Sequence, residues 1–245
     1  MPDIVLIAAL TFLVAFIYSS VGHGGASGYL AALSFFAVPR EQMATSALCL
    51  NLFVAGASFY SFYKAGYFSW KLTWPFALGS IPAAFLGGLI KVPPASYDRL
   101  LAGALIFAGL RLILDVEKKA GPEHPLPPLA VSLPTGGSIG FLSGIVGVGG
   151  GIFLSPLLIL FRWADPKKVA ATSAFFILVN SASGLWGRCT RGAFQMPPYL
   201  IVLLLVAFLG GITGSWIGAR RFSSLWLKRM LALVLWMAVV KLIRQ

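Results

Sequence analysis

The sequence predicts an all-helical protein that crosses a lipid bilayer several times. Of its 245 residues, 58% are hydrophobic and 11% are charged, whereas soluble domains carry about 25% charged residues. Apolar segments recur along the chain at lengths that suit membrane helices. A glycine cluster interrupts this pattern once in each half. These observations predict an all-α polytopic membrane protein made of two related repeats.

The apolar segments fall into two sets with a polar stretch between them. The first set covers residues 4–20, 28–38, 43–63, 72–90 and 97–114, and the second covers 129–146, 152–162, 169–188, 197–219 and 225–243. A helix needs about 20 residues to cross the bilayer, so 28–38 and 152–162 are too short to cross alone. We therefore predict a first repeat over 1–114, a polar linker over 115–128 and a second repeat over 129–245.

Each short segment follows directly on a glycine cluster. The clusters read Val21-Gly22-His23-Gly24-Gly25-Ala26 and Val146-Gly147-Val148-Gly149-Gly150-Gly151. Glycine weakens a helix, and backbone groups that are freed within a membrane must find partners away from the lipid. Because such a break occurs at matching points of both halves, the pattern predicts a binding site between the repeats.

Other motifs repeat in the same order in the two halves. The sequence Ala44-Thr45-Ser46-Ala47 recurs as Ala171-Thr172-Ser173-Ala174, and an asparagine follows each, at positions 51 and 180. Small residues four apart, which let membrane helices pack closely, occur at Gly79, Ala83 and Gly87 and again at Gly210, Gly214 and Gly218. Each repeat is therefore predicted to have a glycine-broken first helix, a short half-helix and three long helices.

The basic residues predict the direction of the repeats. If each glycine cluster turns the chain back, the Lys and Arg residues divide seven against twelve between the two faces, and the repeats are inverted. If the clusters are simple kinks, the same residues divide nearly evenly. Because short cytoplasmic loops carry an excess of basic residues, we favour two inverted-topology repeats with both termini outside. The net charge of +12 is scattered over short loops, so no nucleic-acid partner is expected.

The acidic residues favour an anion over a cation as the ligand. All seven lie at segment ends or in loops, namely Asp3, Glu41, Asp98, Asp115, Glu117, Glu123 and Asp165. Cation pumps and proton relays usually keep a carboxylate within the membrane, so those mechanisms lose support. Half-helices beginning at Gly25 and Gly151 would direct their positive N-terminal ends toward the breaks, which suits a small anion.

The candidate substrate-binding residues come from the glycine clusters and from the polar side chains that follow them. They are Gly22, His23, Gly24, Gly25, Thr45, Ser46, Asn51, Gly147, Gly149, Gly150, Gly151, Thr172, Ser173 and Asn180. Each type has a structural alternative, because glycines pack helices, hydroxyls bond to their own helix and asparagines join helices. For both asparagines the two roles stay open, and for Gly79, Gly87, Gly214 and Gly218 we prefer packing.

Three charged or titratable side chains near the breaks and helix ends have alternative roles. His23 is the candidate intramembrane group that titrates near neutral pH, so a coupling role is open to it. Because Val148 stands at the matching position of the second repeat, we expect instead a hydrogen-bonded or water-facing histidine. Arg188 and Arg191 are expected to be interfacial anchors, with attraction of anions to the mouth of the site as the alternative.

The paired glycine clusters, the repeated Ala-Thr-Ser, the asparagine after it and the small-residue helices resemble the sulfite exporter TauE/SafE family, also called the sulfonate uptake permease family. The resemblance covers almost the whole chain. It implies transport of a sulfur-containing anion, such as sulfite, sulfoacetate or another organosulfonate, across the bacterial or archaeal inner membrane. The chain departs from the pattern at His23, at Ala26 where the second repeat has Gly151, and in its shorter Thr45 to Asn51 interval.

We therefore expect a secondary transporter that binds a small sulfur-containing anion between the breaks and exposes it alternately to each side. A passive anion channel and a carrier for a non-sulfur carboxylate are the alternatives. An intramembrane enzyme is not expected, since the sequence has no paired carboxylates and no metal-ligand cluster. No cofactor and no metal are expected. The expected partners are the anion, the lipid bilayer and a coupling proton or other ion, and a homo-oligomer stays open.

Overall fold

A computed structural model describes residues 4–36, 38–91, 93 and 124–223 of the chain. These residues form helices and no strands. The helices are α1 (Ile4–Ser20), α2 (Ala26–Phe35), α3 (Arg40–Lys64), α4 (Trp70–Leu89), α5 (Leu129–Val146), α6 (Gly151–Leu160), α7 (Pro166–Thr190) and α8 (Leu200–Arg220). The all-helical fold class is confirmed. The predicted segments 97–114 and 225–243 lie outside the described residues.

The lengths and compositions of the helices identify a polytopic membrane protein. Within the described part of the chain, five helices are long and apolar enough to cross a bilayer, namely α3 from Gln42, α4, α5, α7 and α8, whereas α1 and α6 are apolar but shorter. Large apolar side chains such as Val5, Ile201 and Leu205 are exposed on the helix surfaces. Such exposure is expected where lipid rather than water surrounds the protein.

The half-helices begin within the glycine clusters. Helix α6 begins at Gly151, as predicted, whereas α2 begins at Ala26, one residue after the predicted Gly25. The reason is the backbone of Gly25, whose φ of +96° lies outside the helical region. Glycines with positive φ also follow the two longest helices, at Gly66 and Gly192, so the same turn occurs at the same place in both halves.

Helices of each half pack mainly against helices of the other half. Helix α1 lies along α8, and α5, which corresponds to α1, lies along α4. Helix α3 contacts α7 and α8, while α7 contacts α3 and α4. Exchanging the two halves therefore reproduces the same set of interfaces, as a duplicated sequence would. The two halves are intertwined rather than placed side by side.

Glycines bring the backbones of neighbouring helices into direct contact. A Cβ atom on Gly214 or Gly218 would collide with the backbone of α1 at Phe16 or Ser20. A Cβ on Gly87 would collide in the same way with the backbone of α5 at Phe141. These glycines therefore pack helices, which is the role we preferred for them.

Contacting residues reveal the directions of the helices. Gly210 of α8 lies against Phe12 of α1, and Gly218 lies against Ser20, so these two helices run in parallel. In contrast, α3 and α7 run in opposite directions, because Asn51 contacts Ser181 while Phe59, later in α3, contacts Phe175, earlier in α7. The corresponding helices α3 and α7 of the two halves are thus antiparallel.

The first glycine cluster turns the chain back. Helix α2 runs in the direction opposite to α1. Ser27 bonds to Tyr18, and the following Gly28 lies against Val14, one turn earlier in α1. Helices α1 and α2 therefore form a hairpin. These directions are the ones that inverted repeats require. The placement of both termini outside concerns the membrane and stays a prediction.

Candidate functional site

The glycine clusters form two breaks in the helical structure, called break 1 (residues 21–25) and break 2 (residues 147–150). In break 1, Gly22 has a φ of +81° and Gly25 one of +96°. In break 2, Gly147 and Gly149 have a φ of +81° and Gly150 one of +80°. Residues with a Cβ rarely adopt this conformation. The turns themselves therefore require these glycines.

Both breaks contact the same asparagine of α3. The Nδ2 of Asn51 donates to the carbonyl oxygen of Val148 in break 2, at 3.2 Å, and lies 3.3 Å from the hydroxyl of Ser181 in α7. Its Oδ1 lies directly against Gly24 of break 1, with no room for a Cβ between them. Asn51 is fully buried. The predicted convergence of the two breaks therefore takes place at this side chain.

Ile177 of α7 lies against the same two breaks. A Cβ on Gly149 would be 2.8 Å from the Cγ2 atom of Ile177, and one on Gly24 would be 3.0 Å from it. A Cβ on Gly151 would collide with this side chain as well. Glycine is therefore needed for close approach as well as for the turns. The backbones of the two breaks are held between α3 and α7.

Each break also packs against the start of the long helix of the opposite half. Gly22 lies against the backbone of Ala170 in α7, and a Cβ on Gly147 would lie 3.4 Å from the Cβ of Ala44 in α3. The repeated Thr-Ser pairs follow directly on these alanine segments. Each Thr-Ser pair therefore lies next to the part of its helix that contacts the break of the opposite half.

The two Thr-Ser pairs differ in their hydrogen bonds. In the second half, the hydroxyl of Thr172 lies 3.2 Å from that of Thr73, and the hydroxyl of Ser173 lies 2.6 Å from that of Ser155. In the first half, the hydroxyls of Thr45 and Ser46 are buried and have no partner within the described residues. The repeated sequence gave no reason to expect this difference, because it arises from neighbours on other helices.

The two asparagines also differ. Asn51 joins α3 to break 2 and to α7 through its Nδ2, while its Oδ1 has no hydrogen-bond partner in the described chain. Asn180 is fully buried, and neither its Nδ2 nor its Oδ1 has a partner among the described residues. A buried polar group without a partner costs about 1–3 kcal/mol. Such groups are therefore candidates for contact with a ligand.

His23 is hydrogen-bonded and buried, with 2% of its surface exposed. Its Nδ1 lies 3.1 Å from the carbonyl oxygen of Val21, and its Nε2 lies 3.2 Å from the hydroxyl of Ser155 in α6. Of the two alternatives that we expected for His23, the hydrogen-bonded histidine is therefore observed and the water-facing histidine is not. The contact with Ser155 could not be read from the sequence, because it joins the two halves.

Arg188 is not the interfacial anchor that we expected. It is 4% exposed, and its Nη2 donates to the carbonyl oxygen of Ile145 at 3.0 Å, in the last turn of α5 just before break 2. The sequence contained a signal for this burial. Arg188 follows Ser181 by two helical turns, so both residues lie on the same buried face of α7. Arg191 lies at the helix end and donates to the carbonyl oxygen of Ile90 at 2.6 Å, which agrees with an anchor.

The electrostatic character of the interior is neutral to positive. Arg188 is buried, and no Asp or Glu is buried among the residues whose side chains are described. The described residues also contain no group of three or more His, Cys, Asp or Glu side chains that could hold a metal ion. Asp165 lies at the start of α7, where it accepts hydrogen bonds from the backbone N–H groups of Lys167 and Lys168.

The model of the family described as Sulfite exporter TauE/SafE matches residues 7–242. The chain belongs to this family. Two relatives have names that agree with the match. A probable membrane transporter protein of Sinorhizobium fredii, y4hK, is 34% identical over 240 residues, which cover 97% of each chain. A probable membrane transporter protein of Bacillus subtilis, YdhB, is 25% identical over 227 residues, which cover 90% of each chain.

A second Bacillus subtilis protein, YunE, also named a probable membrane transporter protein, is 23% identical over 244 residues, or 88% of this chain and 89% of that one. No solved structure matches the chain. Family membership and the membrane helices together identify this TauE/SafE protein as a membrane transporter.

Proposed function

We propose that this TauE/SafE protein is a secondary transporter for a small sulfur-containing anion, such as sulfite, sulfoacetate or another organosulfonate, in the bacterial or archaeal inner membrane. The observation that carries the proposal is the meeting of the two breaks at Asn51. Breaks that meet at the middle of intertwined repeats suit a site that opens alternately to either side. The description of the family as Sulfite exporter TauE/SafE supports the proposed substrate class.

The groups around the breaks suit an anion with several oxygen atoms. The first N–H groups of α2 and α6 have no partner within their own helices, and these helix ends carry partial positive charge. Thr45 and Ser46 add buried hydroxyl donors, and Asn180 adds an amide donor. Arg188 adds a full positive charge next to the end of α5. The hydroxyls of Thr45 and Ser46, which have no partner among the described residues, support a substrate position on the break 2 side of Asn51.

The antiparallel directions of α3 and α7 support a transporter made of inverted repeats, with the first over residues 1–114, the linker over 115–128 and the second over 129–245. Movement of one repeat against the other about the breaks would then expose the anion to each side in turn. The interfaces between the repeats contain glycine contacts between backbones. Such surfaces allow helices to slide without moving large side chains.

The distribution of charge supports an orientation with both termini outside. Contacts of Lys167 with Tyr67 and Ala219 define one end of the molecule, and the contact of Arg191 with Ile90 defines the other. Near the first end lie Lys64, Lys71, Arg162, Lys167, Lys168, Arg220 and Arg221, and near the second lie Arg40, Lys91, Arg188 and Arg191. The richer end is expected to be cytoplasmic.

A thermal-stability screen of the purified protein identifies the anion. Sulfite, sulfate, thiosulfate, sulfoacetate, taurine and acetate are compared, because a ligand that binds the folded state raises its stability by mass action. A sulfur-containing anion should raise the melting temperature, and uptake of the same anion into proteoliposomes should saturate. Stabilisation by acetate alone would favour a carboxylate carrier, and flux that does not saturate would favour a channel.

The location of the site is tested with a matched pair of glycine variants. Gly149 and Gly192 both have positive φ, but a Cβ on Gly149 would crowd Asn51 and Ser181, whereas one on Gly192 would meet nothing within 4 Å. Both variants therefore carry similar backbone strain. We expect Gly149→Ala to lose anion uptake and Gly192→Ala to retain it. Equal uptake in the two variants would contradict a site at break 2.

A further inference from the structure

A chain of hydrogen-bonding side chains joins break 1 to the second half of the protein. The Nε2 of His23 lies 3.2 Å from the hydroxyl oxygen of Ser155, which lies 2.6 Å from the hydroxyl oxygen of Ser173. Ser155 also lies 2.9 Å from the carbonyl oxygen of Gly151, at the start of α6. All three side chains are buried. The chain connects the imidazole to the helix end that faces the proposed anion.

The surroundings of His23 can satisfy both protonation states of its ring. The carbonyl of Val21 only accepts, so Nδ1 carries a hydrogen in either state. When the ring is neutral, Nε2 needs a donor, and the hydroxyl of Ser155 can provide it. When the ring is protonated, Nε2 donates to the oxygen of Ser155, whose own hydrogen then turns to the carbonyl of Gly151. Ser173 can donate to Ser155 in both cases.

Building on the proposed function, we propose that His23 takes up one proton when the anion binds and releases it when the anion leaves, so that transport is proton–anion symport. The proton adds to Nε2 and leaves from it, and no other bond is made or broken. A positive ring next to the start of α6 attracts the anion, and by reciprocity the bound anion favours the protonated ring. Gly24, the next residue, contacts Asn51 and so places the ring at the edge of the site.

Other titratable groups lie on the elements that surround His23. They are Tyr18 on α1, Tyr29 on α2 and Cys49 in the middle of α3, with Arg40, Glu41, Tyr60, Tyr63 and Lys64 toward the ends of α3, and Lys167, Lys168, Arg188 and Cys189 toward the ends of α7, whereas α6 carries none. Phenols and buried thiols stay neutral in this range, while Lys and Arg stay charged. A bound anion offsets the positive charge of the protonated ring, which is the basis of the coupling.

The test uses sulfoacetate as the probe, because its charge stays constant between about pH 6 and about pH 8, where an unperturbed imidazole titrates. Proteoliposomes contain a pH-sensitive dye, and sulfoacetate uptake and internal acidification are measured together. The wild type should take up about one proton for each anion. Its affinity for sulfoacetate should rise as the pH falls, by at most about tenfold per pH unit, which is the limit for one linked proton.

The variants separate coupling from transport. His23→Gln keeps a polar side chain that cannot titrate, and its ratio of protons to anions should fall to zero even if its flux is lower. Ser155→Ala removes the rotating hydroxyl and should shift the pH at which the affinity changes. Ser58→Ala removes another buried hydroxyl, which bonds to the carbonyl of Ser19, and should leave both the ratio and the pH profile unchanged. Size-exclusion chromatography confirms that each variant is folded.

The outcomes distinguish this proposal from the proposed function. Absence of sulfoacetate uptake by the wild type would contradict the proposed function for this anion, and the symport that rests on it. Uptake without acidification, or an affinity that is the same across this pH range, would overturn the symport proposal and leave the transporter intact. An unchanged ratio of protons to anions in His23→Gln would overturn the role of this residue.

Discussion

Single residues differ in function even where the two halves have the same sequence. Thr45-Ser46 and Thr172-Ser173 occupy matching positions of the repeat, yet only the second pair has hydrogen-bond partners within the described residues. A hydroxyl that bonds to a neighbouring helix contributes to stability, whereas a buried hydroxyl without a partner reduces it. The pair at positions 45 and 46 therefore fits substrate binding better than structural support.

Substitution of the two threonines by valine should separate binding from stability. We expect Thr45→Val to unfold at the same temperature as the wild type or higher, because it removes a buried hydroxyl that lacks a partner, and to lose most anion binding. Thr172→Val should lower stability by about 1 kcal/mol, since it deprives Thr73 of its neighbour. Thermal unfolding with and without sulfoacetate measures both effects. Normal binding by Thr45→Val would exclude that hydroxyl from the site.

Asn51 should matter for both stability and transport. Asn51→Leu preserves the approximate volume but removes the hydrogen bonds to Val148 and Ser181. Because the carbonyl of Val148 would then lose this donor in a buried position, we expect a loss of about 1–3 kcal/mol in the free energy of unfolding, together with loss of uptake. Denaturation in detergent micelles and uptake in proteoliposomes test this. Full uptake by the variant would show that the breaks function without this contact.

At the scale of the elements, adjacent glycines in one helix have different neighbours. Gly136 of α5 lies against the backbone of Phe76 in α4, with no room for a Cβ, whereas a Cβ on Gly137 would lie at an ordinary distance of 3.6 Å from the carbonyl oxygen of Gly79. Only the first glycine is needed for the close approach of α4 and α5. The second merely makes the helix more flexible.

Alanine at these two positions should change stability in opposite directions. Gly137→Ala should stabilise the protein by up to about 1 kcal/mol, because alanine favours the helix. Gly136→Ala should destabilise it by about 1–3 kcal/mol, since the two helices must move apart. Chemical unfolding of both variants in the same detergent provides the comparison. Equal effects would mean that α4 and α5 are not packed through Gly136.

At the scale of the whole molecule, the unequal distribution of basic residues between its two ends predicts a defined orientation in the membrane. His124 lies at the end that is rich in basic residues, where its N–H donates to the carbonyl oxygen of Arg162. Gln195 lies at the other end, between α7 and α8. Both residues are exposed. From the charge asymmetry we predict that the first residue lies in the cytoplasm and the second outside.

Cysteine labelling of intact cells tests this orientation. Because the two native cysteines, Cys49 and Cys189, would complicate the labelling, Cys189 is first replaced by serine, and buried Cys49 serves as the internal negative control. A membrane-impermeant maleimide should then label Gln195→Cys in intact cells and His124→Cys only after the membrane is opened. The reverse pattern would place both termini in the cytoplasm.

Local patterns in the sequence were sufficient to predict most of the architecture. Segment composition predicted the membrane helices, and the glycine clusters predicted both breaks, because a break needs particular residue types over only a few positions. The sequence also predicted that the breaks would meet, since they occupy matching places in two repeats. It did not predict the burial of Arg188, because a basic residue near the end of a helix usually reaches the membrane surface.

The sequence by itself determined the class of protein, the family, the duplication and the two breaks, because each depends on residues that are near one another along the chain or on a repeated pattern. Only the tertiary structure decided which Thr-Ser pair lacks partners, that Asn51 joins the breaks, and that His23 contacts Ser155. The contact of Asn51 with Val148 joins residues 97 positions apart, and the contact of His23 with Ser155 joins residues 132 positions apart. Their partners are selected by how the helices of the two halves pack, and no local pattern specifies that packing.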